Sequence, residues 1–151
     1  MKQTLTAKST VLINAPASKV WETVTNPIAI KEFMMGMEAI STWKEGEELR
    51  WKGRHEEKPE DNAKGEIITI KPYTKLVYTF YYPGYGYPDE PTYYNQVVYT
   101  LKPTGLNTTV SVKQGDFSVF KEGEIFLGHT QSFWDGAIQK LKELVESDNP
   151  L

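Results

Sequence analysis

Hydrophobic and polar positions alternate along this chain with two different periods. From Thr4 to Ile13 the residues are β-branched and strand-like, and the run ends at Asn14-Ala15-Pro16, where proline suits the first turn of a helix. Within Ser18 to Thr25 the apolar residues Val20, Trp21 and Val24 fall on one helical face, and Asn26-Pro27 stops that helix. A second short helix is expected over Ile28 to Phe33. It ends at Met34-Met35-Gly36-Met37, an adaptable segment suited to lie against a sheet edge or a cavity mouth.

Between Glu38 and Gln114 the period shortens to two, in runs separated by turn residues, which predicts an antiparallel meander of five or six strands. Leu49 to Gly53 alternates, the polar stretch Glu56 to Ala63 is a turn, and Gly65 to Ile70 resumes the pattern before Pro72 breaks it. Leu76 to Tyr82 places Leu76, Tyr78, Phe80 and Tyr82 on one face and Val77, Thr79 and Tyr81 on the other. Tyr94 to Leu101 and Thr108 to Gln114 pair across Pro103-Thr104-Gly105, with Val97, Tyr99, Leu101, Val110 and Val112 as the inward set. The last element is a long amphipathic helix from Phe126 to Val145. Its apolar stripe is Phe126, Phe133, Trp134, Ala137, Ile138, Leu141, Leu144 and Val145, and it ends near Asp148-Asn149-Pro150.

Strand, two short helices, meander and closing helix amount to an α+β plan in a single domain spanning 1–151. A curved antiparallel sheet of six or seven strands must wrap the long C-terminal helix, and such a sheet leaves space where it is widest.

The stretch Ile13-Asn14-Ala15-Pro16-Ala17-Ser18-Lys19-Val20-Trp21, closed by Thr25-Asn26-Pro27, resembles the opening of the START-like superfamily, also called SRPBCC, Bet v 1-like or helix-grip. The resemblance extends over nearly the whole chain and implies the helix-grip fold, a sheet wrapped around the C-terminal helix. Gly46-Glu47-Glu48-Leu49-Arg50-Trp51, Gly65-Glu66-Ile67-Ile68 and Pro72 to Phe80 are similar to the branch related to the C-terminal domain of the activator of heat-shock-protein-90 ATPase. Two departures stand out. Phe33-Met34-Met35-Gly36-Met37 replaces that branch's tryptophan-rich segment, and the co-chaperone's N-terminal domain has no counterpart in the sequence.

Composition narrows the partners. Seventeen basic against twenty acidic residues, a net charge of −3 and no cysteine disfavour a nucleic-acid partner and exclude disulfides, thiolate zinc sites and cysteine nucleophiles. The N-terminus lacks a secretory pattern and no apolar run approaches the ~20 residues of a membrane span, so a cytoplasmic protein is expected. An aromatic content of 13%, with nine tyrosines, supplies the ring surface that lines concave ligand sites.

The candidate cavity walls are Trp51, Tyr78, Phe80, Tyr99, Val112, Phe126, Phe133 and Ala137, with His55, Gln114 and His129 as orienting polar groups. His55, in phase with Leu49 and Trp51, is either a rim contact for a ligand or a loop-edge histidine beside Glu56 and Glu57. His129, one helical turn from both Phe126 and Phe133, is either a pocket residue or a hydrogen-bonded boundary residue. Two histidines without a third ligand make no metal site, and no metal or cofactor is expected. Asp116, Gln114, Arg50 and His55 are the side chains to consider for acid/base chemistry, and no Gly-x-Ser-x-Gly elbow or phosphate loop is present. The segment Tyr81 to Tyr94 holds six of the nine tyrosines. It reads as a lid, as a docking surface for a protein partner or a second copy, or as a hairpin tip packed on itself.

Three functions follow. The leading one is a non-enzymatic binding domain for a small apolar or aromatic molecule. The alternatives are an interaction module of co-chaperone type modulating a chaperone ATPase, and a cyclase- or hydrolase-like enzyme.

Overall fold

The computed structural model describes residues 4–53 and 62–147. In chain order the elements are β1 (Ala7–Ile13), α1 (Ala17–Val24), α2 (Pro27–Phe33), β2 (Glu38–Ile40), β3 (Glu48–Lys52), β4 (Lys64–Lys71), β5 (Lys75–Phe80), β6 (Asn95–Thr104), β7 (Asn107–Gly115) and α3 (Gly123–Glu146). The seven strands form one antiparallel sheet in the order β1-β7-β6-β5-β4-β3-β2. The fold is α+β, a half-barrel curled around the C-terminal helix in the helix-grip manner. Consecutive strands from β2 to β7 are neighbours. β1, by contrast, pairs with β7 from Ala7↔Gln114 to Ile13↔Thr108, so α1 and α2 carry the chain from one edge of the sheet to the other.

Local chemistry sets the element boundaries. Pro16 stands at the N-cap of α1, whose buried residues include Val20, Trp21 and Val24. Asn26, which stops α1, also caps α2, because its Oδ1 accepts from the backbone N–H groups of Ile28 and Ala29. Pro27 opens α2 one residue earlier than expected. The first strand is shorter than the β-branched pattern suggests. Leu5 leaves the ladder because its N–H donates to Asp116 Oδ1 at 2.9 Å and its carbonyl accepts from Phe117 N at 2.9 Å. α3 begins at Gly123 rather than Phe126, where the chain presses so close that a Cβ would lie 2.3 Å from the Phe117 carbonyl oxygen.

Two devices bend the sheet. Ile68 is an extra residue in β4, between the pairs Ile67↔Tyr78 and Thr69↔Val77, and such a bulge sharpens twist. Gly65 lies against Thr79 so tightly that an added Cβ would fall 1.7 Å from its carbonyl oxygen.

The core sits between the concave face and α3. Trp134, Ala137, Ile138, Leu141 and Val145 are all 3% exposed or less, as are Val97, Tyr99, Leu101, Val110 and Val112 opposite them. Each such burial contributes roughly 1.5–3 kcal/mol for a large aliphatic side chain. Polar side chains of α3 also strap the outer edge of β1. Gln131 accepts from Lys8 N at 3.0 Å and donates to Lys8 O at 2.7 Å, and Ser9 donates to Asp135 Oδ1 at 2.8 Å. Lys142 donates to Leu12 O, and Glu146 accepts from Asn14 N. The bonds to Lys8 and Leu12 use backbone groups that an edge strand otherwise exposes.

Leu141→Ala should lower unfolding stability by about 2–5 kcal/mol, because the surrounding helix and sheet cannot collapse into the void. Urea unfolding followed by tryptophan fluorescence measures it, and a loss under about 1 kcal/mol contradicts the placement of Leu141 (1% exposed) in the core.

Candidate functional site

The apolar stripe of α3 is densest in its C-terminal half. Toward the N-terminal half the helix presents Phe133, Thr130 and His129 to the sheet, and a cavity of about 350 Å³ opens there. Its sheet side is formed by Trp51, Tyr78, Phe80 and Val97, with Gln114 from the end of β7. Met34 and Met37, from the segment after α2, and Tyr82 and Tyr85, from the tyrosine-rich loop, complete the enclosure. A volume of this size lies at the lower end of the range for small-molecule sites.

The wall is mostly aromatic, and Tyr78, Gln114, Thr130 and Trp134 are its buried polar groups. Gln114, 5% exposed, accepts from Trp134 Nε1 at 2.8 Å and donates to Asn95 Oδ1 at 3.0 Å. Burial raises the Tyr78 hydroxyl above the ordinary phenol range, and the hydroxyl of Tyr99 pairs with it. Burial raises Tyr99 as well, with Tyr78 beside it. Both phenols therefore stay protonated at neutral pH. Burial also raises Tyr85, opposed by a hydrogen bond from Thr130.

The loop after β5 is ordered by ring stacking. Tyr85 stacks on Phe126 with centroids 4.0 Å apart and planes 14° apart, and it meets Tyr82 and Phe120 edge-on. Tyr81 stacks on Tyr94 at 5.0 Å and donates its hydroxyl to Tyr87 O at 2.6 Å. Tyr87 reaches the start of α3, donating to Glu122 Oε2 and accepting from Lys121 N. The rings thus pack on one another, the hairpin-tip arrangement, while Tyr82 and Tyr85 also face the cavity.

The sequence-derived wall divides in two. Trp51, Tyr78, Phe80, Gln114, His129 and Phe133 come together around the cavity, with His129 exposed at its rim. Tyr99, Val112, Phe126 and Ala137 do not line it. Tyr99 crosses Trp134 edge-on at 5.7 Å and faces Val112 in the strand register, so both belong to the core beneath the cavity. Ala137, 1% exposed, lies a turn deeper on α3, where helix and sheet are in contact. Phe126 is separated from the cavity by the Tyr85 ring stacked on it.

The acid/base candidates also disperse. Arg50 points to the outer face of β3, paired with Glu48. Asp116 binds Leu5 N, Ser118 N and the Ser118 hydroxyl, an N-cap role in the turn that precedes α3. His55 lies outside the described residues. Among the described residues no group of three or more His, Cys, Asp or Glu could hold a metal ion, and no helix is long and apolar enough to cross a membrane.

Pattern reading left Ala63 and Thr130 among others out of the wall, and it brought Met37 and Tyr85 near the cavity only as one alternative for their segments. Met37 and Tyr85 belong to connections, where no periodicity assigns a face. Thr130 does lie at i+4 from Phe126 and i−4 from Trp134, a signal obscured by its polarity.

The sequence profile of the family described as activator of Hsp90 ATPase homolog 1-like protein matches residues 14–146. The chain belongs to this family. Its fold is that of a ligand-binding or polyketide-cyclase-like domain family. Among solved structures, a protein from Cytophaga hutchinsonii is 33% identical, with 97% of each chain covered and a TM-score of 0.78. The Aha1 dimer from Colwellia psychrerythraea is 12% identical, covering 96% of this chain and 98% of that one, TM-score 0.74. DynU16, from the dynemicin biosynthetic locus, is 18% identical, covering 98% of this chain and 49% of that one, TM-score 0.76. The last two likenesses establish the fold. No curated protein matches the sequence significantly. The family resemblance drawn from Ala15-Pro16 and Asn26-Pro27 therefore holds, and the methionine segment Met34 to Met37 supplies part of this member's cavity wall.

Asp89 anchors the tyrosine loop of this Hsp90-activator-like domain. Its carboxylate binds Lys64 and accepts from the Tyr94 hydroxyl, and these contacts, Lys64 first, hold its pKa below the ordinary value. A lowered folded pKa means the contribution to stability is present above the unfolded value of about 3.9 and is lost as pH falls through the folded one. A carboxyl NMR titration should place the Asp89 midpoint below about 3.9, and Lys64→Met should move it upward. A midpoint at or above the ordinary value rules the anchor out.

Proposed function

We propose that this chain is a non-enzymatic binding domain whose cavity takes up a small apolar or aromatic molecule. The observation that carries the reading is the cavity itself: about 350 Å³ lined by aromatic rings, methionines and a few polar groups between the sheet and α3. The cavity opens beside the exposed Tyr82 and His129, and its walls come from sheet, helix and loop. The two methionines suit such a wall, since unbranched thioether chains adapt to ligands of different outline.

The geometry supports binding over catalysis. Of the acid/base candidates in the described residues, Arg50 and Asp116 are bonded elsewhere, and Gln114 cannot exchange a proton near neutral pH. His129 is the one ordinary acid/base group in the described lining, and it stands at the rim rather than among converging partners. A protein-partner role has less support: the rings of the tyrosine loop that would form its docking surface are stacked on their own neighbours.

A neutral aromatic ligand at a hundredfold excess over its Kd should stabilise the chain by about 2.7 kcal/mol, seen as a Tm rise of about 5–11 °C. Val97→Phe, which puts a ring into the cavity from β6, should abolish that rise while leaving the far-ultraviolet circular dichroism unchanged. A library of neutral aromatic compounds that gives no thermal shift and no retained ligand in native mass spectrometry defeats the reading.

A further inference from the structure

Along α3 the cavity has two ends of different construction. Toward the C-terminus of the helix it stops at solid core, where Ala137, 1% exposed, is in contact with the sheet. Toward the N-terminus it stops at a single side chain. Tyr85 lines the cavity beside Thr130, whose hydroxyl bonds to the Tyr85 phenol. The Tyr85 ring lies stacked on Phe126, one turn of α3 before Thr130, with centroids 4.0 Å apart. Phe126 is half-buried and takes no part in the lining. One aromatic ring therefore separates the cavity from the next turn of the helix, a distance of about 6 Å along its axis.

The neighbours of that ring are held without it. Phe120, which meets Tyr85 edge-on at 5.4 Å, is 5% exposed and also packs on Tyr87 at 5.0 Å and Phe117 at 6.1 Å. Tyr82 lies so close over Gly84 that a Cβ there would fall 2.5 Å from its ring. Phe126 is fixed by its place in α3, whose C-terminal half is buried against the sheet. Truncating a side chain leaves a void to the extent that its surroundings cannot relax into it, and these surroundings are anchored elsewhere. The space that Tyr85 fills is bordered by the rings of Phe120 and Phe126, so it suits the same apolar matter as the cavity.

We propose that Tyr85 is the specificity-determining residue for ligand length, its ring closing the cavity at the N-terminal end of α3 so that an elongated molecule gains nothing from the part that cannot enter. This rests on the binding reading above and adds to it a dimension of the ligand.

Two probes that are both uncharged at neutral pH, 4-ethylphenol and 4-hexylphenol, separate the two claims by calorimetry. Burying a methylene group is worth about fourfold in Kd. Lengthening ethyl to hexyl should therefore tighten binding to Tyr85→Ala about tenfold more than it tightens binding to the wild type. Tyr85→Phe retains the ring and should behave as the wild type does. Isotope-filtered NOE spectra of bound 4-hexylphenol should show contacts to the Phe126 ring in Tyr85→Ala and none in the wild type, and the wild-type spectrum needs no variant to fold. Equal gains in the wild type and Tyr85→Ala, a limit removed by Tyr85→Phe as well, or wild-type contacts to the Phe126 ring overturn the length role and leave the binding reading intact. If neither phenol binds the wild type or Tyr85→Ala, both claims fall.

Discussion

The stripe Trp134, Ala137, Ile138, Leu141 and Val145 can leave water only if strands bend around more than one side of a helix. A flat sheet would cover one flank of α3. The curvature comes from particular backbone positions, the bulge at Ile68 and the tight approach of Gly65 to Thr79. It is held at the β1 edge by Gln131, Asp135, Lys142 and Glu146, whose bonds to Lys8, Ser9, Leu12 and Asn14 tie the helix to the outermost strand. Apolar contact and polar strap act on adjacent faces of α3, the first toward β6 and β7 and the second toward β1 and the residue after it. The helix is therefore fixed in rotation as well as in depth.

The cavity is the complement of that grip. Where α3 carries Leu141 and Val145 it meets the sheet directly, and where it carries Thr130 and Phe133 it does not. The missing contact is not made up by collapse, because the aromatic loop holds the surroundings apart. Tyr85 is wedged between Phe126 and the cavity, Tyr81 is clamped by Tyr94, and Tyr87 reaches the first turn of α3. The tyrosine excess that composition alone suggests as a binding surface goes largely into holding the hairpin tip, with Tyr82 and Tyr85 alone among these six rings also lining the site.

Electrostatically the site is quiet. Its phenols are held neutral by burial and its amide is locked by Trp134 and Asn95. Of the charged candidates for chemistry, Arg50 is turned outward and Asp116 is engaged in capping. Among the described residues, the wall holds aromatic and amide groups with His129 at its rim.

The sequence by itself determined the order of elements, the inward faces of the strands and the apolar stripe of α3. Those follow from side-chain periods of two and about 3.6 and from local signals at Pro16, Asn26 and Pro27. It also placed Trp51, Tyr78, Phe80 and Phe133 on the correct faces. It could not say how deep along a face each residue lies. Tyr99, Val112 and Ala137 share those faces and are packed in solid core, and Phe126 shares the α3 face but lies past the sheet, against Tyr85. Periodicity reports direction about an element's axis, whereas distance from the helix depends on how far the whole sheet bends. Met37, Tyr82 and Tyr85 entered the site through connections, whose path is set by long-range contacts with α3 and by the sheet curvature. The partner of each buried polar atom was likewise a tertiary outcome: two indoles of identical chemistry, Trp134 and Trp51, differ only in whether a Gln114 oxygen stands within reach.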